Sequence, residues 1–371
     1  MPPLSRADNS FLGKWWWSVD RATMLGLAVL LGVGYVLALA AMPGFSTRLS
    51  DPHTIAMLKQ ILFLAMGGGV MLGMSMLSLR QVKLTALGLG IVFFLLTAFT
   101  LVHGTQVDGA NRWLALPGFT VQPSEFLRPA FIIISGWCIA EARRTPGFPG
   151  KRAALGVFVL TAMLLKMQPD IGMTFLFTMV VLAQFYLDGM DMKWVGMAAV
   201  VVLLALVYAF FFITHVHTRI EMFINPPPGS QAQTALEAFG NGGVWGLGPG
   251  EGQVKNWLPD ARADFVFAVA GEEFGLFFCG FIILVFAAIV LRALVRLLSE
   301  NNLFVVLAAG GLIVAFGLQA FVNMASSLSL IPTKGMTLPF ISYGGSSALA
   351  TSIQMGFLLA LTRRRPKMEM S

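Results

Sequence analysis

Ten apolar runs, each long enough to cross a bilayer, limit what this chain can fold into more than any other feature. They fall at residues 23–42, 56–78, 84–102, 123–141, 153–167, 171–188, 194–214, 265–291, 303–325 and 341–362. A hydrocarbon core about 30 Å thick is spanned by about 20 helical residues, with some latitude for tilt. No water reaches that core, so backbone N–H and C=O groups must be paired internally, which only helices and closed barrels achieve. Barrel strands alternate polar and apolar residues over short segments, whereas these runs are longer and continuous. Composition agrees, with 12% charged and 57% hydrophobic residues, against about a quarter charged in a soluble domain. The expected fold is all-α, a polytopic integral membrane protein of about ten transmembrane helices with a large outer loop between spans 7 and 8.

The first run ends in LALAAM, the small residues of a signal-peptidase site. It nevertheless exceeds the ~7 to 15 residues of a signal core, so it reads as a retained anchor. Residues 1–22 form a polar tail in which Trp15, Trp16 and Trp17, with Lys14 and Arg21, suggest an interfacial aromatic anchor. Cys138 and Cys279 lie within apolar runs, lack metal-ligand spacing and receive no role.

Charge placement orients the spans. With the N-terminus inside, sixteen of the 25 cations fall on inner segments, from Arg6, Lys14 and Arg21 through Arg292 and Arg296 to the Arg363–Lys367 cluster. Eight lie outside (Arg48, Lys59, Arg112, Lys166, Arg219, Lys255, Arg262 and Lys334), and Arg128 lies inside a span. The positive-inside rule selects this orientation, and an even number of spans returns the C-terminus to the same side. The domain reading is a tail at 1–22, a ten-helix unit at 23–362 with an outer catalytic loop at about 214–264, and a tail at 363–371. The excess of base is then a property of inner loops beside anionic lipid and does not point to nucleic acid.

Four outer stretches carry polar groups that a plain membrane helix does not need. In GANRWLALPGFTVQPSEFLR, Pro123 suits a helix start, and Glu125 and Arg128 sit at i and i+3 one turn inside the span, able to pair on one face. Intramembrane ionisable groups of this kind are functional candidates; the plain alternative is an ion pair that fixes helix packing. In Gln168-Pro169-Asp170 the proline breaks the helix and leaves Asp170 placed to cap the next one. The loop GNGGVWGLGPGEGQVKNWLPDARAD lets backbone turn sharply or approach a ligand, and runs into LPDARADFVFAVAGEEFG with Asp264 at the mouth of a span. It is neither a Walker loop nor a dinucleotide fingerprint. In IPTKGMTLPFISYGGSS, Pro332 and Pro339 forbid a continuous helix, so irregular backbone there should line a cavity or be buried in protein.

GANRWL with PSEF, QPD, LPDARADFVFAVAGEEFG and PTKGMTLPFISYGGSS, in that order over Gly109 to Ser347, closely resemble the SEDS family of bacterial polytopic proteins, its cell-division branch more than its elongation branch. The resemblance implies a peptidoglycan glycosyltransferase polymerising lipid II into glycan strands at the outer face of the bacterial inner membrane. It also implies septal wall synthesis, a cognate class B penicillin-binding protein as transpeptidase partner, and other division proteins as associates. The family's catalytic acid falls on Asp264. Its Glu followed three residues later by a base appears as Glu125 and Arg128, with Arg where Lys is frequent, which removes a proton relay there because Arg does not deprotonate. Arg262 and Ala263 stand where many members have His-Thr.

Transfer of a sugar from a lipid diphosphate expels an anion, so one carboxylate acting as base on the acceptor hydroxyl can suffice. Asp264 fits that role; a helix N-cap is the alternative reading. The diphosphate needs cations or a divalent metal, Mg or Mn. Arg112, Lys255, Arg262 and Lys334 are the candidate cations, with Gln168, Asp170, Ser342 and Tyr343 as support. A precursor flippase, an elongation-type polymerase and a non-catalytic division scaffold are the competing readings. Each would use the same spans, but the scaffold leaves Asp264 without a purpose.

Overall fold

The computed structural model describes residues 10–40, 52–107, 110–116, 119–212, 214–227, 229–258, 260–332 and 335–364. All ten apolar runs are helices. They are α2 (Arg21–Ala40), α3 (Pro52–Ser75), α4 (Leu79–His103), α5 (Pro123–Arg144), α6 (Gly150–Met167), α7 (Ile171–Leu187), α8 (Met192–Phe212), α11 (Val266–Leu297), α12 (Leu303–Ser327) and α13 (Gly345–Leu361). Pro169 separates α6 from α7 as expected. Among the described residues, five helices are long and apolar enough to cross a membrane on their own: 21–40, 54–75, 79–103, 266–297 and 303–327. At 17 residues each, α7 and α13 sit at the short end of the spanning range.

α5, α12 and α13 form the middle of the bundle. α5 touches α4, α6, α7, α12 and α13, while α13 also packs on α3 and α12 on α7 and α11. Their side chains are buried over most of their length, with Phe131, Phe316 and Phe357 almost fully enclosed. The outer helices instead expose apolar side chains such as Leu95, Leu160, Phe211 and Leu284. Exposed apolar side chains of this kind belong against lipid, not water.

Three features depart from the sequence reading. A small antiparallel sheet, β1 (Thr105–Val107), β2 (Ala110–Leu116) and β3 (Phe119–Val121), follows α4 and leads into α5. The polar segment after span 7 contains α9 (Thr214–Ile224) and α10 (Gln231–Gly242), the latter N-capped by Ser230. Ahead of the first span lies α1 (Phe11–Ser18), whose Trp15 is buried and donates from Nε1 to Ser75 Oγ at 3.0 Å. Trp15 therefore anchors to protein, whereas Trp16 and Trp17 lie under the Arg21 guanidinium at 5.1 and 4.1 Å.

Candidate active site

Residues 262–264 approach α11 as a turn, and three consecutive carbonyls of that turn each accept a bond from a different donor. Tyr343 N donates to Arg262 O at 2.7 Å. Ser342 Oγ donates to Ala263 O. Asn323 Nδ2, from α12, donates to Asp264 O at 2.9 Å and also to Met336 O at 2.6 Å. Asn323 is fully buried, where an unmade bond would cost about 1–3 kcal/mol. The backbone around Asp264 is thus held from two sides, by α12 and by the irregular stretch before α13.

That stretch is itself fixed. Gln60 of α3 donates to Ser342 O at 3.0 Å and accepts from Gly344 N at 3.2 Å. Phe340 has φ of 64°, a left-handed conformation that a bulky residue adopts only when its surroundings impose it. Gly34 of α2 is part of that imposition: a Cβ there would lie 2.1 Å from Phe340 O, so only glycine lets the helix approach. Asp264 is half-buried, and its Oδ2 faces Gly335 at 3.5 Å from where a Cβ would stand. The N-cap position of α11 belongs to Phe265, without a side-chain cap bond. The N-cap reading of Asp264 is therefore corrected by one residue. Arg262 and Tyr343 line a cleft with Gln60, Leu37 and Met57.

The GEEFG end of the motif has a different task. Glu272 accepts Gln253 N at 2.9 Å and Val254 N at 2.8 Å on one oxygen, and Lys255 N at 3.0 Å on the other. Glu273 pairs with the Lys255 ammonium, which also donates to Ala40 O at 2.8 Å. Leu247 N and Gly248 N bond to the Glu272 and Glu273 carbonyls. At Gly275 the helix is broken, with φ 79° and ψ −180°, and the Gly-rich loop passes so close that a Cβ would meet Val244 O at 2.3 Å. Lys255, expected to be an outer cation, is buried and committed to Glu273. Its polar sequence neighbours suggested exposure, but its partner lies in an apolar helix 18 residues away.

Glu125 and Arg128 are both buried but do not form the direct ion pair expected at i, i+3. Glu125 Oε2 accepts Ser346 Oγ at 2.6 Å. Arg128 Nη1 donates to Gln319 Oε1 at 2.5 Å. A polar chain runs from Arg128 toward Glu125 instead: Gln319 Nε2 donates to Thr337 O at 2.9 Å, and Thr337 Oγ1 meets Ser347 Oγ at 2.6 Å, next in sequence to the Ser346 that serves Glu125. In low dielectric, separate neutral partners that are close at hand can serve each charge where the pair geometry is missed.

Arg112 on β2 lies 3.7 Å from Asp170, and Gln122 Nε2 donates to the same carboxylate at 3.1 Å. Asp170 also caps α7 by accepting Met173 N at 3.1 Å, as the sequence suggested. Burial pushes its carboxyl up from the ordinary value, and the Met173 amide and Arg112 only partly oppose that. Gln168 donates to Thr97 O at 2.9 Å and to Thr100 Oγ1, tying the α6–α7 turn to α4. Lys334 lies outside the described residues, as does part of the strand-linking segment. Gln60, Gln319 and Asn323 were missed in the sequence. Their signal was an isolated amide inside an apolar run, where a polar group must find a partner.

Among the described residues, no three His, Cys, Asp or Glu side chains converge to hold a metal ion.

A family model described as a cell cycle protein, FtsW/RodA/SpoVE, matches residues 21–367. A probable peptidoglycan glycosyltransferase FtsW from Caulobacter vibrioides is 40% identical over 367 residues, covering 98% of this chain and 94% of its own. One from Nitrosomonas europaea is 33% identical, covering 92% of each chain. Among solved structures, a chain from a study of structural coordination of polymerization and crosslinking by a peptidoglycan synthase complex superposes with a TM-score of 0.76 at 22% identity, over 94% of this chain and 98% of that one. The Thermus thermophilus rod shape determining protein RodA gives 0.68 at 23% identity, over 94% and 97%. The structures establish a shared fold, and the sequence matches run almost end to end. The chain belongs to the FtsW/RodA/SpoVE family of cell cycle proteins, the SEDS family that its motifs resemble.

Proposed function

We propose that this chain is a peptidoglycan glycosyltransferase of the cell-division type, polymerising lipid II at the outer face of the bacterial cytoplasmic membrane. Relatives 33% and 40% identical over nearly the full length are named probable peptidoglycan glycosyltransferase FtsW, which supports this reading. The observation that carries the mechanism is the half-buried Asp264, whose carbonyl and the two before it are held by Asn323, Ser342 and the Tyr343 amide. A carboxylate fixed in this way is pre-positioned, and misplacement by about 1 Å can cost on the order of 100-fold in rate.

In this reading Asp264 accepts the proton of the acceptor sugar hydroxyl. The hydroxyl oxygen forms its bond to the anomeric carbon of the donor as the bond to the lipid diphosphate breaks, and the diphosphate leaves as an anion. Arg262, in the adjoining cleft, is the candidate to stabilise that charge. Arg112 and Lys334 remain candidates, while Lys255 serves the loop. The tails at 1–22 and 363–371 are cytoplasmic, the unit at 23–362 is catalytic, and the protein works at the septum with a class B penicillin-binding protein. The likeness to a peptidoglycan synthase complex supports such a partner.

The test uses purified full-length protein with labelled lipid II, with and without the transpeptidase. Wild type should yield glycan polymer. Asp264→Asn should insert normally and lose ~100-fold or more of the rate, the scale of lost general-base catalysis. Polymer from Asp264→Asn at near wild-type rate would remove Asp264 from the chemistry. Translocation of lipid II without polymer would make the chain a transporter instead.

A further inference from the structure

At the far end of α11 from Asp264 a cavity of about 400 Å³ opens between the end of α11, the start of α12 and the end of α13. This volume lies within the ~300–1,000 Å³ of small-ligand pockets. Arg292, Arg296, Arg363 and Arg364 line it, against a single acidic residue, Glu300. Asp20, just outside the lining, takes Arg296 at 2.9 Å and Arg292 at 3.3 Å. Even with Asp20 counted, guanidinium groups outnumber carboxylates by two.

Three of the four arginines have side-chain partners, Arg292 and Arg296 on Asp20 and Arg363 on Ser18 and Met76 O, while Arg364 is exposed and tied to Ser18 through its backbone. Arg363 donates from Nε to Ser18 Oγ at 2.9 Å and from Nη1 to Met76 O at 3.1 Å, and Arg364 N donates to Ser18 O at 2.9 Å. Glu300 is committed to the chain, its Oε1 accepting Asn302 N at 3.0 Å, and Asn302 in turn caps α12. The first turn of a 25-residue helix thus opens onto the same cavity, adding its positive end to the arginines. All of this lies where three spans end, so the cavity sits at headgroup level. It is on the face that the cation bias assigns to the cytoplasm, where anionic lipid is concentrated.

The geometry points to a binding site for the phosphate headgroup of an anionic phospholipid, taken from the inner leaflet by the arginines at the α11–α12–α13 junction. Planar guanidinium forks match phosphate oxygens bidentately, which a general surface charge does not require. The plain alternative is that these arginines only neutralise helix C-termini and set topology. That alternative predicts no preference among lipids that depends on this cavity.

The full-length protein in detergent, exchanged with phosphatidylglycerol or phosphatidylethanolamine and read by native mass spectrometry, distinguishes them. Wild type should retain phosphatidylglycerol preferentially. Arg292→Gln/Arg364→Gln should weaken retention about fivefold for each arginine, on the order of 25-fold together. Arg364 is exposed and the Arg292 side chain is half-exposed, and Asp20 keeps Arg296 at 2.9 Å, so the double variant should fold with a melting midpoint lowered no further than in Asp20→Asn. Glu300→Gln keeps the acceptor for Asn302 N, removes the only lining acid and should tighten retention, an effect that loss of folding cannot imitate. Unchanged retention in both variants overturns the assignment. So does inorganic pyrophosphate that binds wild type and is not displaced by phosphatidylglycerol, because the ligand would then be a soluble phosphate.

Discussion

Replacing Lys255 by Met separates a structural ion pair from a substrate-binding cation. The Lys255 ammonium is buried against Glu273 and Ala40 O, with side-chain exposures of 3% and 0% for the two partners. Removing one member of a buried pair leaves an uncompensated charge and costs about 3–5 kcal/mol. Glu273, whose Oε2 already lacks a hydrogen-bond partner, would be left as the uncompensated charge. The loop around 247–258 hangs on Glu272 and Glu273, so the loss should appear there as local opening. At ~1.36 kcal/mol per tenfold, the penalty corresponds to roughly two to four orders of magnitude in the opening constant. Hydrogen exchange of peptides covering 247–258 should accelerate accordingly in Lys255→Met, while α12 and α13 stay protected. Lys255→Met/Glu273→Gln removes both charges, so exchange and polymerisation should recover much of the way toward wild type. Wild-type exchange in Lys255→Met together with lost polymerisation, not rescued in the double variant, would refute the structural assignment and return Lys255 to the substrate.

Asn323→Leu keeps the volume but strands Met336 O in the protein interior and leaves Asp264 O to Ser327 Oγ at 3.5 Å, so thermal stability in detergent should fall by about 1–3 kcal/mol. If Asn323 positions Asp264, kcat should drop with little change in KM; unchanged kcat in a folded variant would leave it a packing residue only. Burial alone would raise the Asp20 carboxyl, but hydrogen bonds from Arg292 and Arg296 outweigh that and hold it below its ordinary value. A depressed folded-state pKa means that the contribution is complete above the unfolded value of about 3.9 and is lost as pH falls through it toward the folded value. Asp20→Asn should therefore lower the melting midpoint at neutral pH and flatten its fall below about pH 4; parallel curves for the two proteins would contradict this.

The bundle was legible because a membrane span announces itself: the runs at 23–42 and 303–325 became α2 and α12 with shifts of only a few residues. Asp264 was legible because a carboxylate at the mouth of an apolar helix is costly enough to demand a reason. Its clamp was not, because carbonyls carry no mark in a sequence and the donor Asn323 is 59 positions away. Lys255 misled for a related reason. A Gly-rich polar segment reads as solvated, and nothing local reveals that Glu272 and Glu273 pull it onto α11. The sheet at 105–121 escaped notice because β1 and β3 have three residues each and the seven-residue β2, ANRWLAL, does not alternate polar with apolar.

The clamp on residues 262–264 grips oxygens that every amino acid possesses. Its side-chain demands therefore fall on Asn323 and Ser342, with any residue but proline able to donate at 343, while the gripped carbonyls place no demand on the side chains at 262–264. Ala263 can be exchanged over generations for whatever suits the surroundings, and Arg262 can be selected solely for what its side chain does in the cleft. The Arg-Ala pair can then change without moving the backbone that carries Asp264.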